Sequence, residues 1–242
     1  MTALLRSSIS PANHAAPRTL LSVIDAGRAE DDPLAAPFAA LEAIGTPLRV
    51  GKNAALFQEG DASEHVYKVV SGAIRTCRML MDGRRQISDF ILPGDFFGLD
   101  WQSAHSFTAE ALIDTVVISY PRPQLEALAE SMPAIQRLLM ATLCKGLAAT
   151  QEHVVMLGRQ TAYERLAWFL LRVKERSGTA TEIDVPMSRQ DIADYLGLTI
   201  ETVSRGISEF KRRRYITALS AHRFQLTGLA VLQALASGEA AA

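Results

Sequence analysis

Three neighbouring side chains, Glu201, Ser204 and Arg205, have the chemistry needed to read the edge of a base pair. A guanidinium can donate two parallel hydrogen bonds to guanine O6 and N7. A carboxylate can accept from the amine of cytosine, and a hydroxyl can reach an adjacent base or phosphate. Spaced three and four apart, the three residues share one face of a helix. Enzyme chemistry has no comparable foundation, since the chain offers no nucleophile–base pair, P-loop or metal-ligand set. Its two cysteines, Cys77 and Cys144, are far apart and too few for a structural zinc or iron–sulfur site, so no metal and no cofactor are expected.

The flanking residues have the pattern of a support for such a reading helix. Ser188 can cap a first helix, with Asp191 placed near its third position. That helix would bury Ile192, Ala193 and Leu196 and end at Gly197, which suits a sharp left-handed turn. Thr199 can then cap a second helix running to about Arg214, with Thr202 as its partner three residues on. Val203, Ile207 and Phe210 fall on the core side. Ile200, Glu201, Ser204, Ser208 and Lys211 fall on the wetted side, flanked by Arg205. This is the pattern of a helix-turn-helix, whose second helix enters the major groove of double-stranded DNA. A hairpin over Thr217–Leu226, turning at Ser220-Ala221-His222-Arg223, would form a wing. Ser188, Arg189, Gln190, Thr199, Ile200, Thr202, Lys211, Arg213, His222 and Arg223 are the residues expected to touch the DNA backbone or position the helix.

The overall charge of −1 conceals an asymmetry. Between Pro186 and Leu226 there are seven Lys/Arg against four acids, a local +3. Local charge is what a phosphate feels, because screening limits its reach to about 10 Å.

Upstream, short β-rich runs alternate with Gly, Asp and Pro from Thr46 to Tyr120: Pro47–Val50, Ala55–Gln58, His65–Ser71, Ala73–Leu80, Arg85–Ile91, Phe107–Ala111 and Val116–Pro121. Such spacing predicts a small antiparallel roll, and Asp82-Gly83 marks a hairpin. A short helix follows over Gln124–Glu130, and a long one starts near Pro133. Leu139, Leu143, Leu147, Thr150, Val154 and Leu157 form one stripe of the long helix; Ile135, Leu138, Thr142, Gly146, Ala149, His153 and Met156 form another. A helix apolar on two faces must be covered on both, so one face should meet the roll and the other the same helix of a second subunit. Cys144, within this pattern, is expected to be a small core residue. A redox role for Cys77, in a strand, would rest on Arg75 and Arg78 alone.

The expected fold class is therefore α+β: a flexible tail over 1–36 with one short helix around Leu20–Ile24, a β-roll over 37–126, a dimerisation helix over 127–158 and a winged helix-turn-helix over 159–236. Phe38–Ile44 should form a further short helix. No run approaches the ~20 apolar residues that span a bilayer, and no secretory signal is evident, so a cytoplasmic location without membrane contact is expected.

Thr-Ile-Glu-Thr-Val-Ser-Arg, preceded by Ser-Arg-Gln-Asp-Ile-Ala-Asp-Tyr-Leu-Gly, resembles the DNA-binding signature of the Crp/Fnr superfamily. Gly60-Asp61, Ser71-Gly72, Gly83 and Pro93-Gly94-Asp95-Phe96-Phe97-Gly98 are similar to its β-roll. The Glu-x-x-Ser-Arg form resembles the Fnr and FixK branches rather than the Crp branch, which carries Arg where Ile200 sits and Gly where Ser204 sits. The resemblance implies a homodimeric activator of microaerobic or anaerobic respiration or nitrogen-fixation genes, bound to a TTGA/TCAA-type inverted repeat and recruiting RNA polymerase.

Cyclic-nucleotide members carry a Gly-Glu pair and a later Arg-Ser pair. Here Gly98 precedes Leu99-Asp100, and His105–Glu110 has no Arg. The N-terminal cysteine cluster of Fnr is missing, which leaves the FixK-like branch. The alternatives are a Crp-type regulator gated by a small effector (cyclic nucleotide, or haem held by His65, His105 or Cys77) and a cyclic-nucleotide-binding subunit acting on a protein.

Overall fold

The computed structural model describes residues 35–100, 102–177 and 181–239. Helix α1 (Ala35–Ile44) comes first and buries Leu41 beside Ile118 and Tyr120. It starts inside the span read as tail, because Ala35-Ala36 extend a helix at little cost. The rest of that tail, with the helix expected around Leu20–Ile24, lies outside the described residues.

Eight strands follow: β1 (Thr46–Val50), β2 (Ala55–Phe57), β3 (His65–Ser71), β4 (Ile74–Met79), β5 (Arg85–Ile91), β6 (Phe96–Phe97), β7 (Thr108–Ala111) and β8 (Thr115–Pro121). They form two four-stranded antiparallel sheets, ordered β1-β8-β3-β6 and β2-β7-β4-β5. Gly83, at φ +84°, turns the β4–β5 hairpin as Asp82-Gly83 suggests. The two-residue β6, paired with Tyr67 and Lys68, is too short to show an alternating pattern in sequence.

Aromatic rings fill the space between the sheets. Phe57 stacks on His105 at 3.6 Å between centroids, and Tyr67 lies 5.6 Å from Phe57 and 5.4 Å from Phe97. His105 is buried, and its Nδ1 lies 2.8 Å from Asp100 Oδ2. Burial alone would raise the Asp100 carboxyl, but hydrogen bonds from His105 and Ser106 outweigh it and hold the group below the usual carboxylate range. Cys77 is also buried. Burial first, and the Glu110 carboxylate second, push its thiol up to about 11, so it carries little thiolate and is a poor redox centre.

Helix α2 (Arg122–Ser131) leads into α3 (Pro133–Arg159), a rod of about 40 Å. One face of α3 packs inward, where Ile135, His153 and Met156 are buried. On the other face Leu143, Leu147 and Val154 are 48, 61 and 63% exposed. Thr150 is exposed there too, whereas Leu139 and Leu157 are half-buried against their own chain. Cys144 is exposed, contrary to the core position expected of it. The apolar period identifies the helix but not which part of its circumference the roll covers, and the middle of α3 stands clear.

The chain continues through α4 (Ala162–Ser177), β9 (Glu182–Asp184), α5 (Arg189–Leu196), α6 (Ile200–Arg212), β10 (Ile216–Ala218), β11 (Arg223–Leu226) and α7 (Leu229–Ala236). The last three strands form a sheet ordered β10-β11-β9. Helix α7 is not evident in the sequence, because a short run whose one polar residue is Gln233 shows no clear helical period; Leu232 anchors it in the core. That core is continuous with the roll: Phe90 of β5 lies 5.0 Å from Tyr195 of α5 and 6.1 Å from Phe169 of α4, between ring centroids.

Candidate nucleic-acid interface

The local signals in the α5–α6 segment are all realised. Ser188 and Asp191 form a reciprocal capping box, Ser188 Oγ accepting from the Asp191 N–H and Asp191 Oδ2 from the Ser188 N–H, both at 3.0 Å. Gly197 takes φ +61° and closes α5. Thr199 caps α6, its Oγ1 accepting from the Thr202 N–H at 3.3 Å. Val203, Ile207 and Phe210 are buried, and so is Gly206. A Cβ on Gly206 would come within 2.7 Å of Leu166 Cδ2, so α6 lies unusually close to α4. Nothing in the sequence marks Gly206, because a glycine inside a helix gives no sign of what it faces.

Along the opposite side of α6, Ile200, Glu201, Ser204, Arg205, Ser208 and Lys211 are all exposed. Glu201, Ser204 and Arg205 thus share one open face. The helix N-terminus, through the residue's own backbone N–H first and the Thr199 hydroxyl second, holds the Glu201 carboxyl below its ordinary range. It is an acceptor only, suited to an amine donor. Among the described residues Arg205 makes no ion pair within 4 Å. Ser208 donates back to the Ser204 carbonyl at 2.9 Å.

Residues 164–235 match the Crp-like helix-turn-helix domain, and residues 47–132 match the cyclic nucleotide-binding domain. The chain is 41% identical to the nitrogen fixation regulation protein FixK of Azorhizobium caulinodans over 229 residues, 93% of this chain and 92% of that protein. It is 42% identical to the protein of the same name from Rhizobium meliloti, over 74% of this chain and 82% of that one. The structure of FixK2 from Bradyrhizobium japonicum superposes with a TM-score of 0.77 at 41% identity, covering 82% of this chain and 99% of that one.

The chain belongs to the Crp/Fnr family of transcription regulators.

Within this family it groups with the FixK-type members, and DNA binding follows from its Crp-like helix-turn-helix. Against that frame, the remaining candidate residues separate into open and occupied groups. Arg212 is held by Glu209 through two bonds, Nε to Oε2 at 2.9 Å and Nη2 to Oε1 at 2.7 Å, and Arg213 Nε donates to the same Glu209 Oε1 at 2.5 Å. The hydrogen bonds from Arg212 and then Arg213 pull the Glu209 carboxyl down to about 2. The basic tetrad is therefore less positive than its sequence suggests.

Arg223 is likewise paired, with Glu182 at 2.8 Å and Asp184 at 3.3 Å. His222 Nδ1 lies 3.1 Å from the Val185 carbonyl, which can only accept. Arg189 and Lys211 both lie over the Phe224 ring, 5.5 and 5.6 Å from its centroid. Burial lowers the pKa of Arg189. Gln190 donates to Asp194 at 2.6 Å. Ser188, Thr199 and Thr202 are engaged in the caps. No helix among the described residues is long and apolar enough to cross a membrane.

Proposed function

We propose that the chain acts in the cytoplasm as a homodimeric transcriptional activator of microaerobic, anaerobic or nitrogen-fixation genes. It binds an inverted repeat with TTGA and TCAA arms and recruits RNA polymerase. The observation that carries this reading is the shared open face of Glu201, Ser204 and Arg205 on a capped, core-anchored helix. Arg205 reads guanine O6 and N7, Glu201 accepts from the cytosine amine, and Ser204 takes a neighbouring base or phosphate. Lys211 and, once released from Glu209, Arg213 meet phosphates.

The exposed Leu143, Leu147 and Val154 along α3 support pairing with a second copy, because three large apolar residues in line on a helix otherwise face water. Names of the relatives supply the physiological setting: FixK proteins are nitrogen fixation regulators. The rings of Phe57, Tyr67, Phe97 and His105 inside the roll favour a regulator governed by its own abundance over one gated by a ligand in that space.

Footprinting on a duplex carrying both arms is the direct test. Protection of both arms, lost when either is scrambled at constant salt, is expected. Equal protection of scrambled and intact arms would overturn the assignment.

A further inference from the structure

The winged helix is joined to the roll by more than the α3–α4 connection. Asp191 is 3% exposed and uses its two oxygens for different purposes. Oδ2 accepts from Ser188 in the capping box, from the backbone N–H at 3.0 Å and from Oγ at 2.6 Å. Oδ1 accepts from two arginines of the roll, Arg75 Nη1 at 2.9 Å and Arg85 Nη2 at 2.7 Å. Arg85 Nε reaches one helical turn further to Asp194 Oδ2 at 2.9 Å. Arg75 is itself steadied by Glu110, 2.8 Å from its Nε. Arg176 of α4, which lines the same cleft, pairs with Asp95 of the roll.

These bridges cross a cleft of about 950 Å³ between the roll and the winged helix, lined by Arg75, Arg85, Arg176, Ser188 and Asp191 among others. Phe90 of β5 packs on Tyr195 and Phe169 within a buried core that the two units share. Apolar packing is non-directional and holds the units together; the charged bridges beside it, with their fixed geometry, set the angle. Arg75 and Arg85 lie on the β4–β5 hairpin, and α5 is the helix against which α6 is set.

We infer that Arg75 and Arg85 are positioning residues for DNA recognition: through Asp191 and Asp194 they fix the angle of α6 relative to the roll and the dimer helix. This rests on the dimeric reading above. Two recognition helices must fall one turn of DNA apart, about 34 Å, so their angle to the shared helix sets the half-site spacing they accept. Within one half-site, the base contacts of α6 do not depend on that angle. A unit that holds its competent orientation a tenth of the time binds about tenfold more weakly.

The test compares Arg85→Gln and Arg75→Gln with the wild-type full-length chain on three duplexes: the intact repeat, the repeat with two base pairs added to its spacer, and a single arm. Each variant is expected to lose about tenfold or more on the intact repeat and to keep wild-type affinity for the single arm. Its penalty for the lengthened spacer should shrink. Arg85→Lys should recover part of the loss. Equal losses on repeat and single arm, or no loss on either, would overturn the role. Asp194→Asn removes the charge of the outer strut, keeps an amide oxygen to accept from Gln190 and leaves the capping box intact, so it decides the matter if an arginine variant fails to fold.

If the wild-type chain shows no preference for the repeat, it is the dimeric reading that fails. The strut is then judged without DNA, by the distance distribution between nitroxide labels at Gln124→Cys and Thr217→Cys in a Cys144→Ser background. Broadening in Arg85→Gln supports the inference, and an unchanged width overturns it.

Discussion

In the roll, Phe57, Tyr67, Phe97 and His105 stack on one another, and the nearby polar groups are satisfied within the chain: His105 by Asp100, Arg75 by Glu110 and Asp191. Along α6 the arrangement is reversed. The rigid part lies underneath, in Val203, Ile207 and Phe210, and the polar groups point outward with Arg205 free of ion pairs among the described residues. Both regions sit on family folds that can bind a ligand. Binding capacity follows from which polar groups remain unsatisfied, and by that measure the roll is spent on structure while α6 is not.

The largest expected effect comes from emptying the roll. Phe57→Ala should cost about 3–5 kcal/mol of stability, since a buried ring leaves a cavity that the sheets cannot close. Chemical denaturation measures it. A loss below about 1 kcal/mol would mean the ring is not part of a packed core and would collapse the contrast.

Next is Arg205→Ala, which removes the free guanidinium without touching the core. It should cost about 1–3 kcal/mol per half-site and relax discrimination at one base position. Binding titrations against single-base variants of the repeat read this out, and unchanged affinity at constant salt would remove Arg205 from base reading.

A subtler effect separates the two ends of α6. Glu209→Gln frees Arg212 and Arg213 for phosphates, so the dependence of log affinity on log salt should steepen by about one per added phosphate contact. If the slope stays constant across a salt series, the two arginines do not meet the backbone.

The smallest effect is at the junction of the regions. Buried His153 packs against Trp168 and Tyr195 and donates from Nε2 to the Tyr195 carbonyl at 2.9 Å. Burial, aided by Arg172 and opposed by that carbonyl and Asp89, lowers its pKa below the ordinary histidine value. The folded state resists the proton that the unfolded chain accepts. The stability from the neutral ring is therefore whole above about pH 6.5 and declines as the pH falls below it. Tm measured from pH 7.5 to 5.5 should drop slightly more for the wild-type chain than for His153→Gln; parallel curves would remove His153 as the source.

Most of the helix-turn-helix was legible in sequence because its determinants are local. The Ser188–Asp191 box, the turn at Gly197 and the Thr199 cap each lie within a few residues of the groups they serve. What was hidden depends on distance. Nothing near Asp191 announces Arg75 or Arg85, more than a hundred positions away, and nothing near Glu209 shows whether Arg213 will choose it over a phosphate. The misplaced Cys144 has the same origin: a helical period tells which residues share a face, not what covers it.

Gly206 bears on how recognition could change over time. With Leu166 already buried and a methyl group at position 206 bound to strike it, the depth at which α6 sits on its scaffold has no room for adjustment from below. On the proposed reading, a change of binding specificity falls to the outward residues at 201, 204 and 205. The helix is a fixed mount with interchangeable teeth.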